Sequence, residues 1–204
     1  MRDFTVFIID DDQGILDALS RFLRAAGYKT KAYSSPQAFL DEHDASMPGC
    51  AVLDLSMPRK NGLDVQHELV TRGIERPIIF LSGRGTVPAS VEAMKAGAVD
   101  FLPKPFKDDE LLDAIKVAEE RDSVRLQRDA GRNAASKLID KLTPREKEVM
   151  ALIVRGHMNK NIAHLLGTAE RTIKEHRARV MRKLGISSVA ELVRLTSKVI
   201  TEPR

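Results

Sequence analysis

The 204-residue chain carries 33 Lys/Arg against 29 Asp/Glu, and it is 43% hydrophobic but only 4% aromatic. That apolar content can fill a core and excludes a disordered chain, and the length allows one large domain or two modest ones. The single cysteine, Cys50, excludes an internal disulfide or a multi-cysteine zinc site, and no apolar run reaches the ~20 residues of a membrane span. Asp10-Asp11-Asp12 follows only a short apolar run, so no signal peptide is expected and a cytoplasmic location is. Charge divides unevenly: residues 1–122 hold 15 Lys/Arg and 21 Asp/Glu, a net −6, and residues 123–204 hold 18 and 8, a net +10. A basic second half suits phosphate backbones, and a solvated charged surface would account for it equally well.

The first half alternates short β-rich runs with amphipathic segments. Phe4–Ile9, Lys29–Tyr33, Cys50–Leu53, Ile78–Leu81 and Ala98–Leu102 read as strands, being too short for helices. Between and after them, Ile15–Ala25, Pro36–Asp41, Gly62–Thr71, Val87–Ala96 and Asp109–Ala118 read as helices. Such alternation predicts a parallel sheet covered by helices on both faces. Glu119–Ala135 is charged and poor in large apolar residues, and reads as a helical linker weakened by Gly131.

The remainder is helical in pattern. Thr143-Pro144-Arg145-Glu146 offers an N-cap, a proline at the first helical position and a capping-box glutamate, and Gly156 closes that helix. Asn159 and Thr168 are expected to cap the next two helices, which end near Leu166-Gly167 and Leu184-Gly185. Ser188 and Glu191 form a second capping box, leading into Leu192–Ile200.

Polar residues recur where the predicted strands end: Asp10, Asp11, Asp54, Ser82 and Lys104. In a doubly wound sheet, sites form beyond the carboxyl ends of the strands. Three carboxylates converging on one crevice repel one another unless a cation joins them, and oxygen-only ligands favour Mg²⁺ over zinc. A hydroxyl and an ammonium across the same crevice suit a phosphoryl group. Singly, each has an ordinary reading, an aspartate after a strand being commonly a helix cap.

Ile8-Ile9-Asp10-Asp11-Asp12, Leu53-Asp54-Leu55-Ser56-Met57-Pro58, Asn61-Gly62, Ser82-Gly83 and Lys104-Pro105-Phe106 together resemble the receiver domain of two-component response regulators, over about residues 3–120. Gly83–Pro88 and Val91–Leu102 are similar to the FixJ type. The resemblance implies a flavodoxin-like receiver with a five-stranded parallel sheet, in which Asp54 accepts a phosphoryl group from a sensor histidine kinase. It further implies Mg²⁺ held by Asp10, Asp11, Asp54 and the Ser56 backbone carbonyl, with Lys104 and Ser82 meeting the phosphoryl oxygens. Phe101 would be an aromatic switch coupled to Ser82, and Lys104-Pro105 a cis peptide. Val91, Lys95, Asp100 and Phe101 would form the dimer surface of the phosphorylated chain. Ser82 stands where threonine is commoner and Arg84 where the FixJ type usually has histidine, which bears on the lifetime of the phosphate.

On a helical wheel, Ile173, Val180 and Leu184 gather on one side of Thr168–Leu184, opposite Arg171, Glu175, Ala178 and Arg182. A short helix, a tight turn at Gly167 and this basic helix make the layout of a helix-turn-helix. Leu142-Thr143-Pro144-Arg145-Glu146, Asn159–Ala163, Thr172–His176 and Arg182-Lys183-Leu184-Gly185 resemble the LuxR-type helix-turn-helix, over about residues 140–198. This implies an all-α, four-helix domain with Glu170–Leu184 as recognition helix. Lys174, Glu175 and Ala178 would face bases, while Arg171, Thr172, Arg179 and Arg182 belong to the same DNA-binding face. The expected organisation is a receiver at 1–120, a helical linker at 121–141 and a DNA-binding domain at 142–204. Double-stranded DNA, RNA polymerase and a second copy of the chain are the expected partners, with no membrane. Two other classes compete with this regulator: an Mg²⁺ phosphatase working through an aspartyl phosphate, and a small-molecule-sensing transcription factor. No cap domain or substrate-binding insertion for a phosphatase is expected from the pattern, and the strand-end carboxylates suit Mg²⁺ and phosphate better than an organic ligand. A phosphoacceptor with at most slow autodephosphorylation is therefore expected, not an enzyme.

Overall fold

The computed structural model describes residues 3–83 and 87–199 and divides the chain into two compact units, Met1–Leu126 and Gln127–Arg204. The first unit contains β1 (Thr5–Ile9), α1 (Gln13–Ala25), β2 (Lys29–Tyr33), α2 (Pro36–Glu42), β3 (Gly49–Asp54), α3 (Gly62–Thr71), β4 (Ile78–Ser82), α4 (Val87–Lys95) and β5 (Asp100–Pro103). Its last helix, α5 (Asp108–Ile139), continues past the division between the units. The five strands are all parallel, in the order β2-β1-β3-β4-β5. Chain order reverses at β1, so β1 and β3 lie side by side and their carboxyl ends flank the switch point where such sheets bind ligands.

Strand side chains alternate between two cores, because successive residues of a strand face opposite sides. Val6, Ile8, Val52, Ile79 and Leu81 meet α1 and α5 through residues such as Leu16, Leu23, Leu111 and Ile115. Phe7, Ile9, Leu53 and Phe80 meet Phe39 of α2, Val65 and Leu69 of α3, and Ala93 of α4. β2 (KTKAY) is one of the two edge strands, and its exposed Lys29 and Lys31 discourage pairing with another sheet.

β5 begins two residues later than the composition suggests. The Ala98 amide still closes α4 on the Ala93 carbonyl (3.1 Å), and Val99 makes the first link to Ile78 (2.7 Å). Gly131 does not end α5, which continues through it to Ile139; one glycine costs only ~1 kcal/mol in a helix interior. The stretch read as a charged linker is partly buried. Asp122 is fully covered, accepting from the Gly49 amide (2.9 Å) and pairing with Arg125 (2.8 Å). The first unit thus reaches Leu126, beyond the expected boundary at 120, and Ala135, Leu138 and Ile139 pack in the second unit.

The second unit adds α6 (Pro144–Val154), α7 (Asn159–Leu165), α8 (Glu170–Leu184) and α9 (Val189–Ser197) around Val149, Ile153, Ile162, Ile173, Val180, Leu184 and Leu192. Thr143 and Glu146 form the expected capping box. Three other caps differ. Asn159 is the first residue of α7, after Met158, and its Oδ1 accepts from Arg177 Nη1 (3.3 Å). Thr168 still closes α7, its amide donating to the Ala163 carbonyl (3.0 Å), and α8 starts after Ala169 without a side-chain cap. Ser188 caps Glu191, but the Glu191 carboxylate reaches back to the Ser187 amide (2.8 Å). The expected end of the last helix at Ile200 lies outside the described residues.

Candidate functional site

Asp10 follows β1 directly and Asp54 is the last residue of β3, so the register of the two parallel strands brings their carboxylates together. Both are almost wholly buried, and Lys104 bridges them, with Nζ 2.8 Å from Asp10 Oδ2 and 2.7 Å from Asp54 Oδ1. Burial alone would lower the lysine's pKa, but its hydrogen bonds to Asp10 and Asp54 prevail and raise it. The remaining carboxylate oxygens are held by backbone amides: Asp10 Oδ1 accepts from Asp12 (2.9 Å), and Asp54 Oδ2 from Ser56 (2.7 Å). Asp12 itself caps α1, accepting from Gly14 and Ile15.

Ser82 ends β4, and its carbonyl accepts the Lys104 amide (2.7 Å), just before the cis Lys104-Pro105 peptide. Its hydroxyl is buried and has no hydrogen-bond partner among the described residues. Behind Asp54, the loop folds back tightly: the Gly62 amide donates to the Leu55 carbonyl (3.0 Å). A Cβ on Gly62 would come within 2.7 Å of the Asp54 carbonyl and 2.9 Å of the Phe80 ring. Gly62 is therefore part of the support for Asp54, a role that reading Asn61-Gly62 as a motif does not reveal.

The cluster as it stands is two carboxylates around one ammonium. Asp11 is exposed, and among the described residues no three His, Cys, Asp or Glu side chains group as a metal site. The oxygen-only donors nevertheless fit a hard divalent cation such as Mg²⁺, and the unmet Ser82 hydroxyl fits an incoming anion. Phe101 is half-buried, its ring 6.2 Å from that of Phe80. Val91 and Lys95 are exposed on α4, whereas Asp100 is half-buried and accepts from the Phe101 amide (2.8 Å). Arg84, Gly85 and Thr86 lie outside the described residues.

On α8, Ile173, Val180 and Leu184 are buried, while Arg171, Lys174, Glu175, Ala178, Arg179 and Arg182 are exposed and Thr172 is half-buried. Glu175 lies between Arg171 (3.6 Å) and Arg179 (3.9 Å), and Lys174 approaches Glu170 (3.3 Å). Exposed pairs of this kind are weak and break readily for a stronger anion. Neighbouring cations have structural work instead. Lys183 binds the buried Glu146 (2.6 Å), holding that carboxyl below its usual range, and Arg145 donates to the Leu166 carbonyl (2.6 Å). No helix among the described residues is long and apolar enough to cross a membrane.

Comparison with known proteins agrees with this division. The response regulator receiver domain model matches residues 6–116, and the luxR family model of bacterial regulatory proteins matches residues 140–196. The chain is 40% identical over 198 residues to the response regulator protein TodT of Pseudomonas putida, covering 97% of this chain and 87% of the relative. It is 44% identical over 193 residues to nodulation protein W of Bradyrhizobium diazoefficiens, covering 94% and 84%. Among solved structures, the response regulator StyR superposes with a TM-score of 0.78 at 40% identity, covering 97% of this chain and all of that one. Full-length FixJ from B. japonicum gives 0.56 at 36%, covering 96% of each. The chain belongs to the two-component response regulators that join a receiver to a LuxR-type DNA-binding domain, and it is a transcription regulator controlled by phosphorylation.

Proposed function

We propose that Asp54 takes a phosphoryl group from a sensor histidine kinase, and that the aspartyl phosphate strengthens DNA binding by the second unit. The observation that carries this reading is a buried Asp54 carboxylate held by Lys104, at the end of a strand paired with the one that ends in Ser82, whose buried hydroxyl has no partner among the described residues. In the transfer, an Asp54 oxygen attacks phosphorus and the phosphohistidine N–P bond breaks. Its electron pair returns to the imidazole, which takes up a proton. Lys104 and Ser82 offer a positive charge and a donor to the phosphoryl oxygens, preorganised in a largely dry crevice. Asp10, Asp11, Asp54 and the Ser56 backbone carbonyl would hold Mg²⁺, which when bound supplies further positive charge to those oxygens. Slow attack by water on the acyl phosphate returns the chain to rest.

Ser82 turning toward the phosphoryl group frees room that Phe101 fills, changing the surface of Val91, Lys95, Asp100 and Phe101. That surface pairs with a second copy, and two linked DNA-binding units gain avidity without new base contacts. In each, α8 enters the major groove, with Lys174, Glu175 and Ala178 facing bases. Arg171, Thr172, Arg179 and Arg182 face the backbone. Recruitment of RNA polymerase is the step that follows at a promoter.

The labelling chemistry is tested by incubating the full chain with acetyl phosphate and reading intact mass. One phosphate should be added in Mg²⁺ and none after chelation or in Asp54→Asn. Undiminished labelling of that variant would remove Asp54 from the mechanism.

A further inference from the structure

Ile173, Val180 and Leu184 seat α8 in the core of the second unit. Apolar burial is non-directional, so it constrains the roll of a helix about its axis less sharply than polar contacts do. Roll matters for reading bases. With side-chain tips ~5 Å from the axis, a turn of about 20° shifts a tip by ~2 Å, which takes it out of hydrogen-bond range.

Two directional contacts start from neighbouring residues in the first turn of α6. Arg145 Nη2 donates to the carbonyl of Leu166, the C-cap of α7 (2.6 Å), just before the turn at Gly167 that leads to α8. At the far end of α8, Lys183 Nζ donates to Glu146 Oε2 (2.6 Å), with the Lys141 carbonyl 3.5 Å away. The same glutamate oxygen accepts the Thr143 amide (2.8 Å), and Thr143 Oγ1 accepts the Glu146 amide (3.3 Å). The capping box thus fixes where the Glu146 carboxylate points. From Glu170 to Lys183, α8 spans ~20 Å, so the two contacts hold it at well-separated places.

These contacts differ from the other ion pairs of α8. Lys174–Glu170, Arg171–Glu175 and Arg179–Glu175 are longer, at 3.3, 3.6 and 3.9 Å, and largely exposed, so they open for a phosphate. The Glu146 side chain is only 3% exposed, and taking Lys183 away would leave a buried carboxylate unpaired, which is costly. We infer that Arg145 and Glu146 are positioning residues for base reading, bracketing α8 at the turn before it and at its far end. Glu146 withholds Lys183 from the DNA backbone, and the lysine fixes the roll of the helix instead. The inference rests on α8 being the helix that reads DNA. Long side chains on phosphates tolerate a small roll, whereas contacts to base edges do not. Loss of the bracket should therefore reduce discrimination and spare non-specific affinity.

The test measures binding of the full chain to a duplex that the parent selects from a randomised library, and to the same duplex with one preferred base pair changed. The main variant combines Glu146→Gln with Lys183→Met, removing both charges at similar volume and leaving the glutamine oxygen for the Thr143 amide. Its discrimination should fall by about fivefold or more, with affinity for the changed duplex, salt slope and melting temperature all near those of the parent. Arg145→Met opens the other arm and should lower discrimination several-fold, whereas Lys183→Arg keeps the pair and should retain it. A merely structural pair would instead lower the melting temperature and weaken both duplexes equally, which would overturn the inference. A salt slope lower by ~1 in the double variant would show that Lys183 meets a phosphate and is not withheld. Parent-like discrimination in either bracket variant, while Lys174→Ala loses it, would overturn that arm and leave α8 as the reader. If no variant loses discrimination, the bracket and reading by α8 both fail.

Discussion

The receiver hides its ionic chemistry, with Asp10, Asp54 and Ser82 buried around a half-buried Lys104, while the DNA-binding unit displays its charge along one exposed helix face. The contrast follows from what each must bind. A single phosphoryl group is met by a few groups whose interactions are strong because water is largely excluded, so each atom's position matters. A DNA backbone is met by many exposed cations whose contributions are individually small, additive and screened by salt. Changes in the first unit should therefore act steeply and through geometry, and changes in the second gradually and through ionic strength.

The steepest effect is expected from Gly62→Ala. The added methyl would collide with the Asp54 carbonyl and the Phe80 ring, costing about 3 kcal/mol and slowing phosphorylation by displacing Asp54, the proposed acceptor. Urea unfolding and initial labelling rates measure both. A variant that folds and labels like the parent would show that the crevice tolerates movement.

Lys104→Met comes next. It leaves two buried carboxylates facing each other without their ammonium, and because Lys104 keeps some solvent contact the loss should be about 2 kcal/mol in chelator. Added Mg²⁺ should narrow the gap, since a cation then joins the carboxylates. Equal stability of parent and variant in chelator would mean that the bridge contributes nothing.

Smaller effects belong to α8. Lys174→Ala should cost about 1 kcal/mol at one base pair and relax preference there. Arg182→Ala should weaken matched and mismatched sites alike and lower the salt slope by ~1. Binding isotherms across salt concentrations separate the two. If both variants lose affinity equally on every sequence, the helix reads no bases through Lys174.

Much of this site is legible in the sequence because strand ends announce themselves. Asp10, Asp54, Ser82 and Lys104 each follow or end a short apolar run, and parallel register then places them on one edge. The apolar stripe of α8 is legible for a similar reason, as Ile173, Val180 and Leu184 share a 3.6-residue period and are all buried. What escapes is polar burial created by distant packing. Asp122 looks like one more charge in a solvated helix, yet its partner is the amide of Gly49, 73 residues away. Gln66 and Arg76 likewise give no periodic signal, yet both are buried and donate to backbone carbonyls, Gln66 to that of Ala93 and Arg76 to those of Asp44, Met47 and Gly49. Caps are misread on a finer scale. Thr168 has the right chemistry for an N-cap, but its amide is already committed to Ala163, which shifts the start of α8.

The central claim is that phosphorylation in the first unit governs DNA binding by the second. It is tested most directly by measuring the affinity of the full chain for one promoter fragment at fixed salt, with and without acetyl phosphate and Mg²⁺, alongside Asp54→Asn. The account predicts tenfold or greater tightening, about 1.4 kcal/mol or more, for the parent and none for the variant. Equal affinity of the phosphorylated and unphosphorylated parent, with labelling verified by mass, would contradict it.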